Sequence, residues 1–171
     1  MNTTTPADAW TLERLRADHA PALLDFERDN RAYFARTVPD RGDAYFTEFA
    51  TRHRALLAEQ DTGLSRFHVL ITRQGTLAGR VNLIDIEDGS AELGYRIAEH
   101  ATGRGTATAA VADICRLARS TYGLSRLTAV TTLDNPASLT VLRRNGFTQV
   151  GTTTVDDRPG IRHERPLTPE N

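Results

Sequence analysis

Between Ser90 and Phe147 the spacing of apolar residues changes period three times, and this stretch restricts the chain to few folds. Ser90–Ile97 places Leu93, Tyr95 and Ile97 on one side, the two-residue period of a strand. Thr106–Tyr122 then carries Ala107, Ala110, Val111, Ile114, Ala118 and Tyr122 at helical steps, with Gly123 positioned as a C-terminal cap. Leu127–Leu133 reads as a strand again and Asn135–Asn145 as a helix, with Pro136 at the favoured first position and Gly146 past the end. Strands alternating with helices require a parallel step within a sheet.

The flanking segments add hairpins. Residues 1–9 read as a loose start, and Trp10–Arg16 as a first strand. Helices are expected near 19–29 and 30–36, ending before Pro39, and a longer one over 43–60. Phe67–Ile71 is an aromatic and β-branched run, and Gly75 marks a turn into a partner strand over Leu77–Ile86. Asp88-Gly89 turns the chain into Ser90. Phe147–Thr154 and Ile161–Leu167 are the last strands, with Asp156–Gly160 turning between them. The expectation is an α/β fold: a mixed, mostly antiparallel sheet of six to seven strands with helices on both faces.

With 171 residues and no linker or repeat, the chain is expected to be one domain with a core over about 10–165. The net charge of −1 argues against a dedicated nucleic-acid binder. No run approaches the ~18 apolar residues of a membrane span, and the N-terminus lacks a basic flank before an apolar stretch. A cytoplasmic location is the expectation. All 21 basic residues are arginine, so the α-amino group is the chain's one primary amine. The single cysteine, Cys115, reads as core, and five scattered histidines suggest no metal site.

Two constellations carry chemistry. His100-Ala101-Thr102-Gly103-Arg104-Gly105-Thr106-Ala107-Thr108 joins a strand to a helix. Glycines let the backbone approach a ligand closely, and the first helical amides, lacking intrahelical partners, suit a pyrophosphate. Arg104 adds a charge for phosphate. A dinucleotide fingerprint would need glycine where Thr108 stands, and a nucleotide-triphosphate loop would need a lysine. The second constellation is Asn135-Pro136-Ala137-Ser138, followed by Val141 to Phe147. Asn135, Pro136 and Gly146 are explained as helix caps; Ser138 is not.

Together these motifs resemble the GCN5-related N-acetyltransferases. Ala91 to Ile97 followed by Gly103 to Thr108 is similar to the branch of RimJ/RimL-type ribosomal-protein N-terminal acetyltransferases, as is Asn30-Arg31 before Tyr33-Phe34. The resemblance implies acetyl-coenzyme A as donor and a primary amine as acceptor. The backbone of Tyr95, Arg96 and Ile97 would then pair with the pantetheine arm as an added strand does. The amides of Gly103, Arg104, Gly105, Thr106, Ala107 and Thr108 would hold the pyrophosphate. Asn135 would contact the cofactor near its sulfur, and Ser138 would protonate the departing thiolate. His100 stands where many relatives carry Gln or Arg, and Leu142 where many place a tyrosine acid.

An amine must be neutral to attack directly, which calls for a base within reach. Glu92 is the candidate, with Asp85 and Glu87 behind it on the neighbouring strand. The acceptor is expected to be a protein N-terminus, such as that of a ribosomal protein, or a small-molecule amine. Asp40, Asp43, Glu48, Asp156 and Asp157 would form an acidic rim suited to a cationic one, but scattered surface acids are the commoner explanation of such residues. The alternative is a non-catalytic acyl-coenzyme A sensor. The resemblance also allows a homodimer.

Overall fold

The computed structural model describes residues 9–167. The loose start expected over residues 1–9 lies, Ala9 apart, outside the described residues. Elements run β1 (Trp10–Arg14), α1 (Ala20–Asp29), α2 (Arg31–Phe34), α3 (Asp43–Thr47), α4 (Phe49–Asp61), β2 (Arg66–Thr72), β3 (Leu77–Glu87) and β4 (Ser90–Ile97). They continue α5 (Thr106–Ser120), β5 (Arg126–Thr132), α6 (Pro136–Arg144), β6 (Thr148–Val155) and β7 (Arg158–Pro166).

Among the described residues seven strands form one sheet in the order β1-β2-β3-β4-β5-β7-β6. Its neighbours are antiparallel except β4 and β5, which are parallel and joined through α5. That parallel contact is short: Ser90, Ala91 and Glu92 pair with Arg126, Leu127 and Thr128, and pairing stops there. From Leu93 to Ile97 the β5 side of β4 has no ladder partner, so the sheet splits.

Parity along the strands assigns the helices to faces. His68 pairs with Val81, and its ring meets the Tyr122 hydroxyl at 2.6 Å, just beyond α5. The neighbouring Arg80 instead donates to Glu27 of α1. Successive strand side chains point to opposite faces, so α1 and α5 cover opposite sides. The core is continuous between them, with Leu23, Leu70, Val81, Leu83, Ile114 and Leu127 fully buried.

The helix expected over 43–60 is instead two, interrupted at Glu48. Thr47 donates its hydroxyl back to Ala44 O at 3.2 Å, a local bond that competes with a regular helix. Tyr45, Phe49 and His53 still share one buried stripe across the break. The last turn is tighter than the sequence suggested: Asp156 and Asp157 adopt positive φ, and β7 begins at Arg158. None of the described helices is long and apolar enough to cross a membrane.

Candidate active site

The split between β4 and β5 is the frame of the site. Its vertex is the Glu92–Thr128 pair, the last rung of the parallel ladder. Beyond it lies a cavity of about 220 Å³, lined by Tyr95, Ile97, Thr102, Ala107, Asn135 and Ser138, with aromatic residues of α2 at its side. An open strand edge here leaves main-chain donors and acceptors for an extended ligand.

The glycine loop closes the far end. Gly103 has φ +72 and Gly105 φ +77, left-handed backbone that costs an L-residue about 1–2 kcal/mol. Gly105 is the N-cap of α5, with no side chain capping it. The first i−4 bond of the helix is Ala109 N–H to Gly105 O. The amides of Thr106, Ala107 and Thr108 precede it, at the positive end of a fifteen-residue helix. This is a cradle that fits a diphosphate.

On α6, Asn135 acts as the N-cap: its Oδ1 accepts from Ser138 N–H at 3.2 Å. The side-chain amide of Asn145, at the other end, donates to Thr108 O at 3.2 Å and Val141 O at 2.9 Å. It fixes α6 against the first turn of α5. Ser138 Oγ accepts a hydrogen bond from the Tyr95 hydroxyl at 3.1 Å, across the split. Sequence reasoning considered Tyr95 for its backbone alone and missed this side-chain role; the strand alternation that places Tyr95 on the α5 face was the signal for it. Burial pushes the Tyr95 phenol up, against a smaller opposite effect of Ser138. The phenol therefore stays protonated and donates.

Glu92 is half-buried, and its carboxyl is raised above its usual value by burial and by the nearby charge of Asp85. Asp85 sits at φ +52 in an irregular stretch of β3 between Ile84 and Glu87. Such bulges re-aim side chains beside functional sites. Glu92 shares the parity of Gly94 and Arg96, and these lie opposite Ile84, Asn82 and Arg80. Glu92 thus faces the α1 side while Tyr95 and Ser138 lie on the α5 side. The two candidate catalytic groups flank the split from opposite faces rather than touching.

Arg96 has a second life as a side chain. It lies on the α1 face, 3.6 Å from Glu27 and over the Phe34 ring at 5.0 Å, and it also borders the site cavity. Glu27 is buried and also bound by Arg41 through two bonds of 3.0 Å and by Arg80 at 2.8 Å. Asn30 completes the wall: Nδ2 donates to Phe26 O and Oδ1 accepts from Glu99 N–H, each at 2.9 Å. It ties α1 to the segment that leads into the glycine loop.

Two of the acids that could have formed a rim are paired instead. Asp40 and Asp43 are both bound by Arg31 at 2.8–2.9 Å, and Asp156 and Asp157 sit in the β6–β7 turn. Cys115 is buried in α5. No cluster of three or more metal-ligating side chains occurs among the described residues.

Residues 10–148 match the family described as the acetyltransferase (GNAT) domain. No curated protein matches the sequence. Among solved structures, ribosomal-protein-S5-alanine acetyltransferase from Vibrio fischeri superposes with a TM-score of 0.86 at 19% identity, covering 92% of this chain and 93% of that one. Mycobacterium smegmatis RimJ, in complex with CoA-disulfide, gives 0.84 at 23% identity over 94% and 83%. Spermidine N-acetyltransferase from Vibrio cholerae, in complex with CoA and spermine, gives 0.75 at 20% identity over 92% and 95%. These three share the fold. The family match spans most of the chain, and the split sheet with its glycine cradle fits the acetyl-coenzyme A on which that family draws: the chain belongs to the GNAT acetyltransferases, with acetyl-coenzyme A as its donor.

Proposed function

We propose that this protein transfers acetyl from acetyl-coenzyme A to a primary amine by direct attack, with Glu92 as base and Ser138 as acid. The observation that carries the reading is the placement of these two groups on opposite faces of one split in the sheet. Acetyl-coenzyme A supplies an activated thioester. The amides from Gly103 to Thr108 hold its diphosphate, and the free edge of Tyr95–Ile97 aligns its arm. Asn135 stands beside Ser138 at the inner end.

Glu92, directly or through one water, takes the ammonium proton on the α1 face. Its raised carboxyl pKa brings it closer to that of the amine. Ser138 gives its proton to the departing sulfur on the other face as the carbon–sulfur bond breaks, and the second proton lost by the nitrogen as it becomes an amide restores the serine hydroxyl. Tyr95 donates to the serine oxygen, which aims the serine O–H away from the phenol. No covalent enzyme intermediate is required, and Cys115 is too buried to supply one. A protein N-terminus is the favoured acceptor, supported by the likeness in fold to the S5-alanine enzyme and RimJ.

Thiol release from acetyl-coenzyme A, measured over peptides with free N-termini, polyamines and aminoglycosides, tests the reading. Release with one class, reduced in Ser138→Ala and Glu92→Gln, is expected. Silence with every amine, while coenzyme A still raises the melting temperature, would favour the acyl-coenzyme A sensor instead.

A further inference from the structure

The α1 face carries a second cavity, of about 380 Å³, whose walls include Arg41, Tyr45, Arg52, Phe67, Arg80 and Asn82. Its charge is one-sided. Arg41 and Arg80 share the buried carboxylate of Glu27 with the adjacent Arg96. Three guanidinium groups thus meet one carboxylate. Arg52 adds a fourth, with the exposed Glu48 at 3.4 Å. Burial and the repulsion of Arg41 push the Arg96 pKa down to about 10, so these groups press on one another. Arg80 is buried, Arg41 and Arg96 are partly exposed and Arg52 is half exposed, so the positive surplus faces a cavity that an anion can enter.

The cavity lies on the same face of the sheet as Glu92. Asn82 lies opposite Gly94 on β4. A side chain at Gly94 would meet nothing within 4 Å, so the floor of the cavity stays open toward Glu92. With strands about 4.8 Å apart and alternate residues about 7 Å apart along a strand, the Glu92 backbone lies about 8 Å from that of Asn82 and about 14 Å from that of Arg80, which pairs with Arg96. The buried Asn82 Oδ1 takes no hydrogen bond among the described residues, which suits an incoming N–H donor. The path therefore has a carboxylate end, at Glu92 with Asp85 behind it, and a guanidinium end, at Arg41, Arg52 and Arg80.

We propose that this path reads a bipolar acceptor: an amine held toward Glu92 and an anionic group, a carboxylate above all, held by Arg41, Arg52 and Arg80. The inference rests on the amine-acetylation reading and names its substrate class. A span of about 14 Å between the two ends exceeds the separation of amine and carboxylate within one α-amino acid. Two or three extended residues of about 3.5 Å each, with the reach of an acidic side chain, cover most of it, so the anion belongs to the second or third residue of a peptide N-terminus. Spermidine and other polycations are repelled.

The test is a series of peptides that differ only in Glu, Gln or Lys at positions two and three, with free alanine, free glutamate and spermidine beside them. Thiol release gives kcat/KM, and anisotropy of the labelled, N-acetylated peptides on coenzyme A-loaded protein gives affinity without turnover. The Glu peptides are expected to exceed Gln by about tenfold or more, as charge-assisted bonds to arginine imply, and Lys by more. Arg52→Gln, which leaves Glu27 and its partners intact, should bring the Glu-to-Gln ratio toward one. Gly94→Val, at a strand position with room for a side chain, should raise the KM for every peptide while sparing the KM for acetyl-coenzyme A.

Turnover with equal rates for Glu and Gln, or a preference for Lys or spermidine, would overturn the bipolar acceptor and leave amine acetylation standing. Higher activity with free glutamate than with any peptide would overturn the peptide spacing. No turnover, but tighter binding of Glu peptides that Arg52→Gln abolishes, would overturn amine acetylation and support the anion site. No turnover and equal binding would overturn both.

Discussion

The hydroxyl of Tyr95 on β4 donates to Ser138 Oγ on α6 at 3.1 Å, and this bond spans the gap where the sheet splits. It joins the strand expected to align the donor to the residue expected to protonate its sulfur. Ser138→Ala should lower kcat by about 10²-fold, the low end of what a positioned acid contributes. Tyr95→Phe should cost about tenfold or less, the value of one hydrogen bond. Steady-state kinetics at saturating acetyl-coenzyme A separates the two. Equal losses would mean that the pair acts only as a brace.

Glu92 sits at the vertex of the split with its carboxyl raised by burial and Asp85. The rate should therefore climb with pH through a value above the ordinary 4.5 of a glutamate. Glu92→Gln should erase that limb and lower kcat/KM by about 10²-fold. Asp85→Asn should move the limb to lower pH. A pH–rate profile of the three proteins decides it; an acidic limb that survives in Glu92→Gln points to another base.

Gly105 caps α5 at φ +77 with open space where a Cβ would go. Gly105→Ala should cost about 1–2 kcal/mol in stability through backbone strain alone. Coenzyme A affinity should fall as well, because the strained loop no longer presents its amides. Calorimetric titration alongside urea unfolding measures both.

Glu27 is buried among Arg41, Arg80 and Arg96. Burial by itself would raise its carboxyl, but the arginines outweigh that and hold it below the usual value of 4.5. Its contribution is thus present above that value and lost as pH falls through the depressed one. Glu27→Gln should destabilise the fold by about 3–5 kcal/mol at neutral pH, since it strands the guanidinium groups. Urea unfolding at pH 7 and pH 4 should show the gap between variant and parent narrowing with acid.

His68 gives a different pH signature. Burial pushes it down to about 4 from an ordinary 6.5. The unfolded chain takes up a proton near 6.5 that the folded chain refuses until about 4, so stability should fall across that window as pH drops and then level off. His68→Gln should flatten the slope in the same unfolding series. A slope that persists would assign it to other groups.

Local signals explain why so much of the frame was legible. Pro136 and Gly146 mark the ends of α6, Asn135 caps it, and the period change at Thr106 marks α5. Each depends on residues within a few positions of one another. What escaped was tertiary. Glu27 meets Arg41 and Arg80 across 14 and 53 residues, and Tyr95 finds Ser138 across 43. No window along the chain contains both partners. Counting aspartates likewise shows charge but not that Arg31 holds two of them, 9 and 12 residues away. The break at Glu48 was hidden because Tyr45 and Phe49 stand four residues apart, at helical spacing on either side of it.

The short ladder between β4 and β5 has a consequence for how this protein should respond to its donor. Three residue pairs are all that join the strands β1–β4 edge to edge to β5–β7. Main-chain amides of β4 past Glu92 that turn away from β3 face solvent, and they should exchange their hydrogens quickly. A donor laid along that edge would slow them, and those few amides would register its arrival more directly than any side chain.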